Sequence, residues 1–297
     1  LTGTAAAAET AMASAGLDLN GQNINVIIDD GSASISQLNN INGDNGTGTI
    51  TATLSASDLA DMVDGVNGLT TGDGDSITIT LKVESVSATD LVTLEGKTGL
   101  QIDAKAATEI TGLYADVKAV LDDTTNFDFT DADYNVTLAD NAAFTADDLI
   151  TITGMTDGLV TATSIATVTG NVADLVTVAT RNDGADLALK VNYDASIVLA
   201  GGDPSAVSSG DLKTILSDTT GSLTASALTD ISGAAADIKD VQAGNFIHAG
   251  GDYTVSVSGT NSVADINSIA GNTAGVVTAT ASVGFLAGAG GLLQLAT

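Results

Sequence analysis

The aspartates in the turns of this chain are the residues whose types and spacing best suit a chemical function. Residues 72–76 read GDGDS, so two carboxylates lie in one glycine-rich turn. Calcium is bound by about six to eight oxygen atoms, many of them from such loops. We therefore predict calcium ligands at Asp73 and Asp75, and in a second acidic turn at Asp131 and Asp133. Neither turn has the spacing of a tandem calcium repeat or an EF-hand, so solvated turns are the competing interpretation.

The sequence gives little support for a catalytic site. There is no Cys, and His248 is the sole His, which disfavours a zinc site or a Ser/His/Asp triad. Beside Gly250 and Gly251, His248 is expected to be a turn residue. A glycosidase needs two paired carboxylates, and no motif or spacing singles out such a pair among the 37 acidic residues. Aromatic residues make up only 3% of the chain. We therefore predict that the chain is not an enzyme, with a secreted polysaccharide hydrolase as the most distant alternative.

The charge of the chain is strongly negative. Its formal net charge is −29, a sign that repels nucleic acids and anionic lipid headgroups, so no nucleic-acid partner is predicted. Nearly all the acidic residues are Asp, which favours turns and helix caps over long helices. The glutamates are Glu9, Glu84, Glu95 and Glu109.

The composition also predicts a thin core. Hydrophobic residues make up 44% of the 297 residues, yet there is no Trp. An interior built from Ala, Val, Ile and Leu suits stacked short elements better than one thick core.

A short recurring pattern predicts capped helices. It reads Ser or Thr, two residues, Asp or Gln, Leu or Ile, two residues, then Ile or Leu. The first side chain can accept from the amide three residues on, and the fifth and eighth residues share one helix face. Copies occupy residues 34–41, 87–94, 145–152, 208–215 and 262–269.

A looser series lies between these copies, around Asp58, Asp116, Asp174 and Asp237. Together the two series indicate a unit of about 58 residues with two halves, a length typical of repeat proteins. The predicted divisions are an N-terminal partial repeat (1–22), repeats at 23–75, 76–125, 126–190 and 191–244, and a C-terminal partial repeat with an apolar tail (245–297).

Strands of β-branched residues flank the first helix of each unit. GVVTAT at residues 275–280 follows one helix, and YTVSV at residues 253–257 precedes it. We therefore predict an α/β repeat protein, an elongated array of strand–short helix–strand units with largely parallel β layers. β-hairpins are predicted at residues 126–138 and 245–257. Tyrosines recur at unit spacing and are predicted to pack in the core: Tyr134, Tyr193 and Tyr253.

Residues 24–63 and 253–283 carry a family resemblance. They resemble the Ala/Thr-rich tandem repeats of very large secreted surface proteins of cyanobacteria and other Gram-negative bacteria. The resemblance covers most of the chain, although the second and fourth units depart from its strand motif. It implies an adhesin, a motility-associated surface protein or a surface-layer component, located outside the cell.

The C-terminal tail is uncharged after Asp265 and rich in Gly. We predict that it docks on the N-terminal end of the next subunit, which would propagate a filament. The competing interpretations are a piece cut from a longer array and a tail folded back on its own core. The tail lacks a continuous run of large apolar residues, so no membrane span is predicted. The predicted interface residues are Phe285, Leu286, Leu292, Leu293 and Leu295.

These observations predict an extracellular structural protein of the bacterial cell surface that self-assembles head to tail into a filament or surface layer. The alternative is a calcium-stabilised segment of a large secreted adhesin. The predicted partners are further copies of the chain and a cell-surface polysaccharide, and calcium is the only cofactor considered.

Overall fold

Short helices alternate with short strands in the computed structural model, which describes residues 1–14, 22–130, 133–199 and 206–281. The helices are α1 (Ala5–Met12), α2 (Ile35–Asp44), α3 (Leu59–Met62), α4 (Ala88–Glu95), α5 (Tyr114–Asp122), α6 (Ala146–Thr153), α7 (Val172–Arg181), α8 (Ser209–Asp218), α9 (Ala235–Ala243) and α10 (Val263–Ala270). The strands are β1 (Thr2–Thr4), β2 (Val26–Asp30), β3 (Ile50–Thr53), β4 (Ser76–Thr78), β5 (Glu84–Ser87), β6 (Ile102–Asp103), β7 (Ala107–Gly112), β8 (Phe127–Asp128), β9 (Asn135–Leu138), β10 (Ala143–Thr145), β11 (Val160–Ala162), β12 (Thr167–Gly170), β13 (Leu187–Leu189), β14 (Asp194–Ile197), β15 (Ala206–Ser208), β16 (Leu223–Thr224), β17 (Asp230–Ala234), β18 (Phe246–Ile247), β19 (Thr254–Asn261) and β20 (Val277–Ala281).

The strands belong to two units, each with its own parallel sheets. Unit 1 comprises residues 1–142, 148–165 and 181–190, and holds the sheets β1-β2-β3-β4, β5-β7-β9-β11-β13 and β6-β8. Unit 2 comprises residues 143–147, 166–180 and the described residues from 191 on, and holds β10-β12-β14-β16-β18 and β15-β17-β19-β20. The strand pairings in both units are parallel. The predicted α/β class with parallel β layers is thus confirmed, while the elongated array and the unit boundaries stay predictions.

Paired strands lie about one helix and one loop apart in the sequence. The separation of paired residues ranges from 20, for Asn261 with Ala281, to 28, for Ala195 with Leu223. Parallel neighbours require a crossover connection of about a dozen residues or more, and a helix usually supplies it. We call each strand-and-helix passage between paired strands a turn of the stack.

The helices of the first series begin where the recurring pattern predicts. Ser34 and Gln37 form a reciprocal capping box at α2, with distances of 3.1 Å (Ser34 N to Gln37 Oε1) and 3.2 Å (Gln37 N to Ser34 Oγ). Ser262 Oγ accepts from Asp265 N at 3.1 Å in α10. The fifth and eighth pattern residues are fully buried in the earlier copies, as Leu212 and Ile215 show at 0% exposure. The predicted buried face is confirmed in these helices.

Two helices of the second series take their caps from the following turn. At α3, Leu59 N donates to Glu84 Oε1 at 3.1 Å, and at α5, Tyr114 N donates to Asp140 Oδ2 at 2.7 Å. Their own cap residues make no side-chain cap hydrogen bond. A carboxylate at a helix N-terminus is favourable because the first amides there lack helical partners. Each such cap therefore also ties one turn to the next.

The predicted hairpins are wrong. β8 and β9, which flank the first predicted hairpin, pair with β6, β7 and β11 instead of with each other. At the second, β18 pairs with β16, and β19 pairs with β17 and β20. The parallel partners place like apolar residues side by side, such as Ile110 with Val136, so the sheet interior is continuous from turn to turn.

A threonine after several helices joins consecutive turns. The hydroxyl of Thr219 donates to the carbonyl oxygen of Tyr193, on the previous turn, and accepts from Gly221 N at 2.9 Å. The same arrangement recurs at three other threonines. We call it the threonine clamp, and its other members are Thr98 on Ile77, Thr156 on Tyr134 and Thr273 on Tyr253.

At three of the four clamps, those of Thr156, Thr219 and Thr273, the residue two positions later is a glycine that close backbone approach requires. A Cβ at Gly221 would lie 2.1 Å from the carbonyl oxygen of Tyr193, and Cβ atoms at Gly158 and Gly275 would lie 2.2 Å from the corresponding oxygens. Carbon and oxygen atoms cannot approach so closely, so a side chain here would push the turns apart. The tyrosines pack as predicted, with Tyr193 only 1% exposed.

Replacing Gly221 by Ala therefore tests the clamp. We expect Gly221→Ala to lower the free energy of unfolding by about 2–3 kcal/mol because the backbone must shift. The control is Gly43→Ala in α2, where the new methyl group would meet no atom within 4 Å. It should be neutral or raise the free energy by up to about 1 kcal/mol. Urea unfolding followed by circular dichroism measures both, and equal effects would contradict the clamp.

Candidate functional site

Asp75, a predicted calcium ligand, is a buried structural carboxylate. Its side chain lies at the start of β4, and the residue is 7% exposed. Oδ1 accepts from Ile50 N at 2.7 Å, and Oδ2 accepts from Gly72 N at 3.0 Å. Each oxygen thus satisfies one backbone amide, and the first of these lies on the neighbouring strand β3. The carboxylate therefore connects two turns of the stack, and it also closes the glycine-rich loop in which it lies.

The structure places two of the other predicted calcium ligands, Asp73 and Asp133, at exposed positions. Asp73 is exposed and lines a groove with Glu95 and Asn126. Asp133 is exposed beside Tyr134. Asp131 lies outside the described residues, and so do the predicted interface residues Phe285, Leu286, Leu292, Leu293 and Leu295. In the described ranges, no three His, Asp or Glu side chains come together as a metal site.

Several acidic loop residues bind backbone amides. Asp64 Oδ1 accepts from Asn67 N at 2.6 Å and Val66 N at 2.9 Å, and these bonds lower the pKa of the Asp64 carboxyl. Asp128 is bonded by Lys105, with the Lys105 Nζ to Asp128 Oδ2 distance at 2.8 Å, and by Thr130. These contacts lower the pKa of Asp128 to about 2. The acidic loops therefore hold local backbone structure.

His248 lies at a turn, as predicted, since Gly251 N donates to its carbonyl oxygen at 3.2 Å. Its side chain is only 5% exposed, and Nε2 lies 2.9 Å from the carbonyl oxygen of Leu228. The ring packs against Tyr253 and Phe246, with ring centres 5.0 Å and 6.5 Å away. His248 is therefore a turn residue whose ring also packs in an aromatic cluster.

The strongest candidate for a binding surface is the end of unit 2 formed by β20 and α10, which we call the open end. On the sheet, Val255 is 0% exposed, but Val277, its register partner on β20, is partly exposed. On the helices, Val263 of α10 is 45% exposed, whereas Ala235, at the same position of α9, is 8% exposed. Ile266 is likewise partly exposed. The apolar layer is thus incomplete at the last described turn.

Four of the other outermost strands cover their inward residues, whereas Phe246 of the outermost strand β18 is partly exposed. Ile77 of β4, Val86 of β5, Leu187 of β13 and Val207 of β15 are each at most 5% exposed. β20, whose Val277 is partly exposed, therefore differs from these four strands in the burial of its inward residue. On its outer side, no strand from the described ranges pairs with it.

Sequence reasoning missed these open-end residues. β20 lies in the GVVTAT motif predicted as an ordinary strand, and Ile266 occupies an ordinary core position of the helix pattern. Burial in a repeated element depends on the next turn, which the element's own residues do not encode. Only the lack of charged residues after Asp265 pointed to this end of the chain.

Within the described ranges, no helix combines the length and apolar character needed to cross a bilayer. In comparisons with known proteins, no family model, curated protein or solved structure matches this chain.

Replacing Asp75 by Ala tests its structural role. We expect Asp75→Ala to lower the free energy of unfolding by about 2–4 kcal/mol, with or without calcium, because two backbone amides lose their acceptor. Asp73→Ala, on an exposed neighbour, should change it by less than about 0.5 kcal/mol without calcium. Chemical unfolding in calcium and in chelator measures both variants. A loss in Asp75→Ala that appears only with calcium would show that the carboxylate is a metal ligand.

The low pKa of Asp128 predicts that the folded chain loses stability as the pH is lowered. Because its pKa is lower in the folded chain than in the unfolded one, its stabilising contribution is complete above about pH 4. It is lost as the pH falls through about 2. We expect Asp128→Asn to be less stable than the parent at neutral pH and to lose less stability between these values. Parallel pH dependences in thermal melts of the two proteins would contradict the assignment.

Proposed function

We propose that this chain is an extracellular structural protein that self-assembles head to tail into a filament or surface layer. The observation that supports the proposal best is the incomplete apolar layer at the open end. An unpaired strand beside partly exposed apolar side chains favours association with another chain. The sequence of β20, VTATA, has neither a charged residue nor a Pro, two features that protect edge strands from pairing.

The charge distribution favours association through this end. With a net charge of −29, two copies repel each other over most approaches. α10 contains one charged residue, Asp265, and Lys239 of α9 pairs with it at 2.5 Å. No charged residue follows in the described part of the chain. The open end is therefore a region where copies meet little repulsion.

The bonding between turns supports a structural role. Adjacent turns are joined by parallel strand pairing, by threonine clamps and by side chains that reach across, such as Lys213 to Asp237 at 2.8 Å. A structure that holds each turn through its neighbour can be extended by adding another turn of the same kind. The extracellular location and a cell-surface polysaccharide partner rest on the family resemblance.

Assembly of the purified full chain tests the proposal. We expect fibres or sheets in electron micrographs and large species in sedimentation velocity, both increasing with salt as repulsion is screened. Purely monomeric chain at all salt and protein concentrations would overturn the proposal. Monomers whose stability depends on calcium would instead favour the adhesin segment.

A deletion experiment tests the predicted tail interface. Removing residues 288–297 should shorten the polymers, since three of the five predicted interface leucine and phenylalanine residues lie there. Unchanged polymer length would exclude that part of the tail from the contact.

A further inference from the structure

The sole His of this chain and most of its few aromatic residues lie in two ring clusters. Both clusters follow one sequence pattern, which reads NFDFTDADY at residues 126–134 and NFIHAGGDY at residues 245–253. In each, neighbouring ring centres are 5.0–6.5 Å apart. The rings belong to Phe127, Phe129 and Tyr134 in unit 1, and to Phe246, His248 and Tyr253 in unit 2.

The two clusters occupy corresponding places in the fold. Each begins on the outermost strand of a sheet, β8 in unit 1 and β18 in unit 2. Each tyrosine hydroxyl donates to the carbonyl oxygen of the residue before a clamp threonine, Tyr134 to Met155 at 2.7 Å and Tyr253 to Asn272 at 3.1 Å. A pocket lies beside the rings in both cases. Because the arrangement occurs in the middle of the chain as well, it is a feature of the repeat.

The pocket of unit 2 contains two buried acceptors without partners. His248 Nε2 lies 2.9 Å from the carbonyl oxygen of Leu228, so Nε2 carries the proton and Nδ1 of the neutral ring accepts. Gln242 Nε2 donates to Tyr253 Oη at 3.0 Å and to the carbonyl oxygen of Ile269 at 3.3 Å, which leaves Oε1 as an acceptor. Among the described residues, neither Nδ1 nor Oε1 has a hydrogen-bond partner. Buried acceptors are costly unless a donor reaches them.

The surroundings of these acceptors favour a positively charged donor. Asp252 Oδ1 lies 4.0 Å from His248 Nδ1, and the side chain of Asp252 is exposed. Aromatic rings line the pocket, and their faces attract cations. Gly251 adds no side chain to the pocket, whose volume of about 140 Å³ is several times what one water molecule needs.

The pocket of unit 1 has the same character. It is lined by Phe129 and Tyr134 together with two carboxylates, those of Asp133 and Asp157. Its rings and its charge also favour a cation.

We infer that the pocket of unit 2 binds a primary ammonium group carried on a short alkyl chain. A primary ammonium has three N–H donors and no acceptor, which matches the unfilled capacity of Gln242 Oε1 and His248 Nδ1. The alkyl chain packs against the rings of Phe246 and Tyr253, and Asp252 balances the charge. Binding here requires no assembly of the chain, so its outcome is separate from that of the proposed function.

Nuclear magnetic resonance of the full chain tests the inference. Because His248 is the sole His, its ring protons give one set of signals. We expect these signals to shift and saturate on titration with butylammonium at constant pH. The controls are 1-butanol, which lacks the charge, and tetramethylammonium, which lacks N–H donors; neither should give a saturating shift. Equal shifts with all three probes, or no saturation with butylammonium, would overturn the inference.

Variants of the pocket identify the groups that bind. Gln242→Met removes the Oε1 acceptor at similar size and should weaken butylammonium binding about tenfold or more. Asp252→Asn, on an exposed side chain that folding does not require, should weaken it severalfold. The matched control is Asp211→Asn, which removes the same charge from an exposed residue outside the pocket and should leave the affinity unchanged. Unchanged affinity in both pocket variants, with thermal melts like that of the parent, would overturn the assignment.

A second ligand distinguishes the two sources of such an ammonium group. A blocked Gly-Lys-Gly peptide presents the same four-carbon amine from a peptide backbone. Binding of the peptide and of butylammonium assigns the pocket to lysine side chains of a partner protein. Binding of butylammonium alone assigns it to free amines.

Discussion

The close approach of successive turns is the constraint on which the rest of the structure depends. At each threonine clamp, one hydroxyl bridges two turns, and the glycine that follows leaves room for a carbonyl oxygen from the turn before. Backbones held this close require small side chains beside them and thin layers of Ala, Val, Ile and Leu between sheet and helix. The low aromatic content follows from this packing, and tyrosines remain where the clamp buries them.

The acidic charge is distributed so that it supports the stack instead of opposing it. Asp75 holds amides of two turns, Glu84 caps a helix of the previous turn, and Asp265 pairs with a lysine from the turn before. These carboxylates act at short range, where hydrogen bonding outweighs the screened repulsion of the remaining exposed acids. Few basic residues are needed because backbone N–H groups serve as many of the donors.

Local features of the fold were predictable from the sequence, but the pairing partners of strands and of side chains were not. The capping box of Ser34 and Gln37 is written in four consecutive residues, so helix starts followed from sequence. The strand partner of Phe127 is Ile102, 25 residues earlier, which the neighbours of Phe127 do not reveal, and hairpins were wrongly expected. The turn around Asp75 was recognised, but its amide partner at Ile50 was not. The open end was missed because the exposure of Val277 depends on what packs beside β20, which the residues of that strand do not encode.

Hydrogen exchange of the backbone amides, compared between monomer and assembled protein, tests most directly whether a second copy packs on the last described turn. Strands that already have two neighbours, such as β17, should show the same protection in both states. Amides of β20 and β1 should exchange rapidly in the monomer and become protected on assembly. Assembly that leaves both edge strands as exposed as in the monomer would contradict end-to-end stacking.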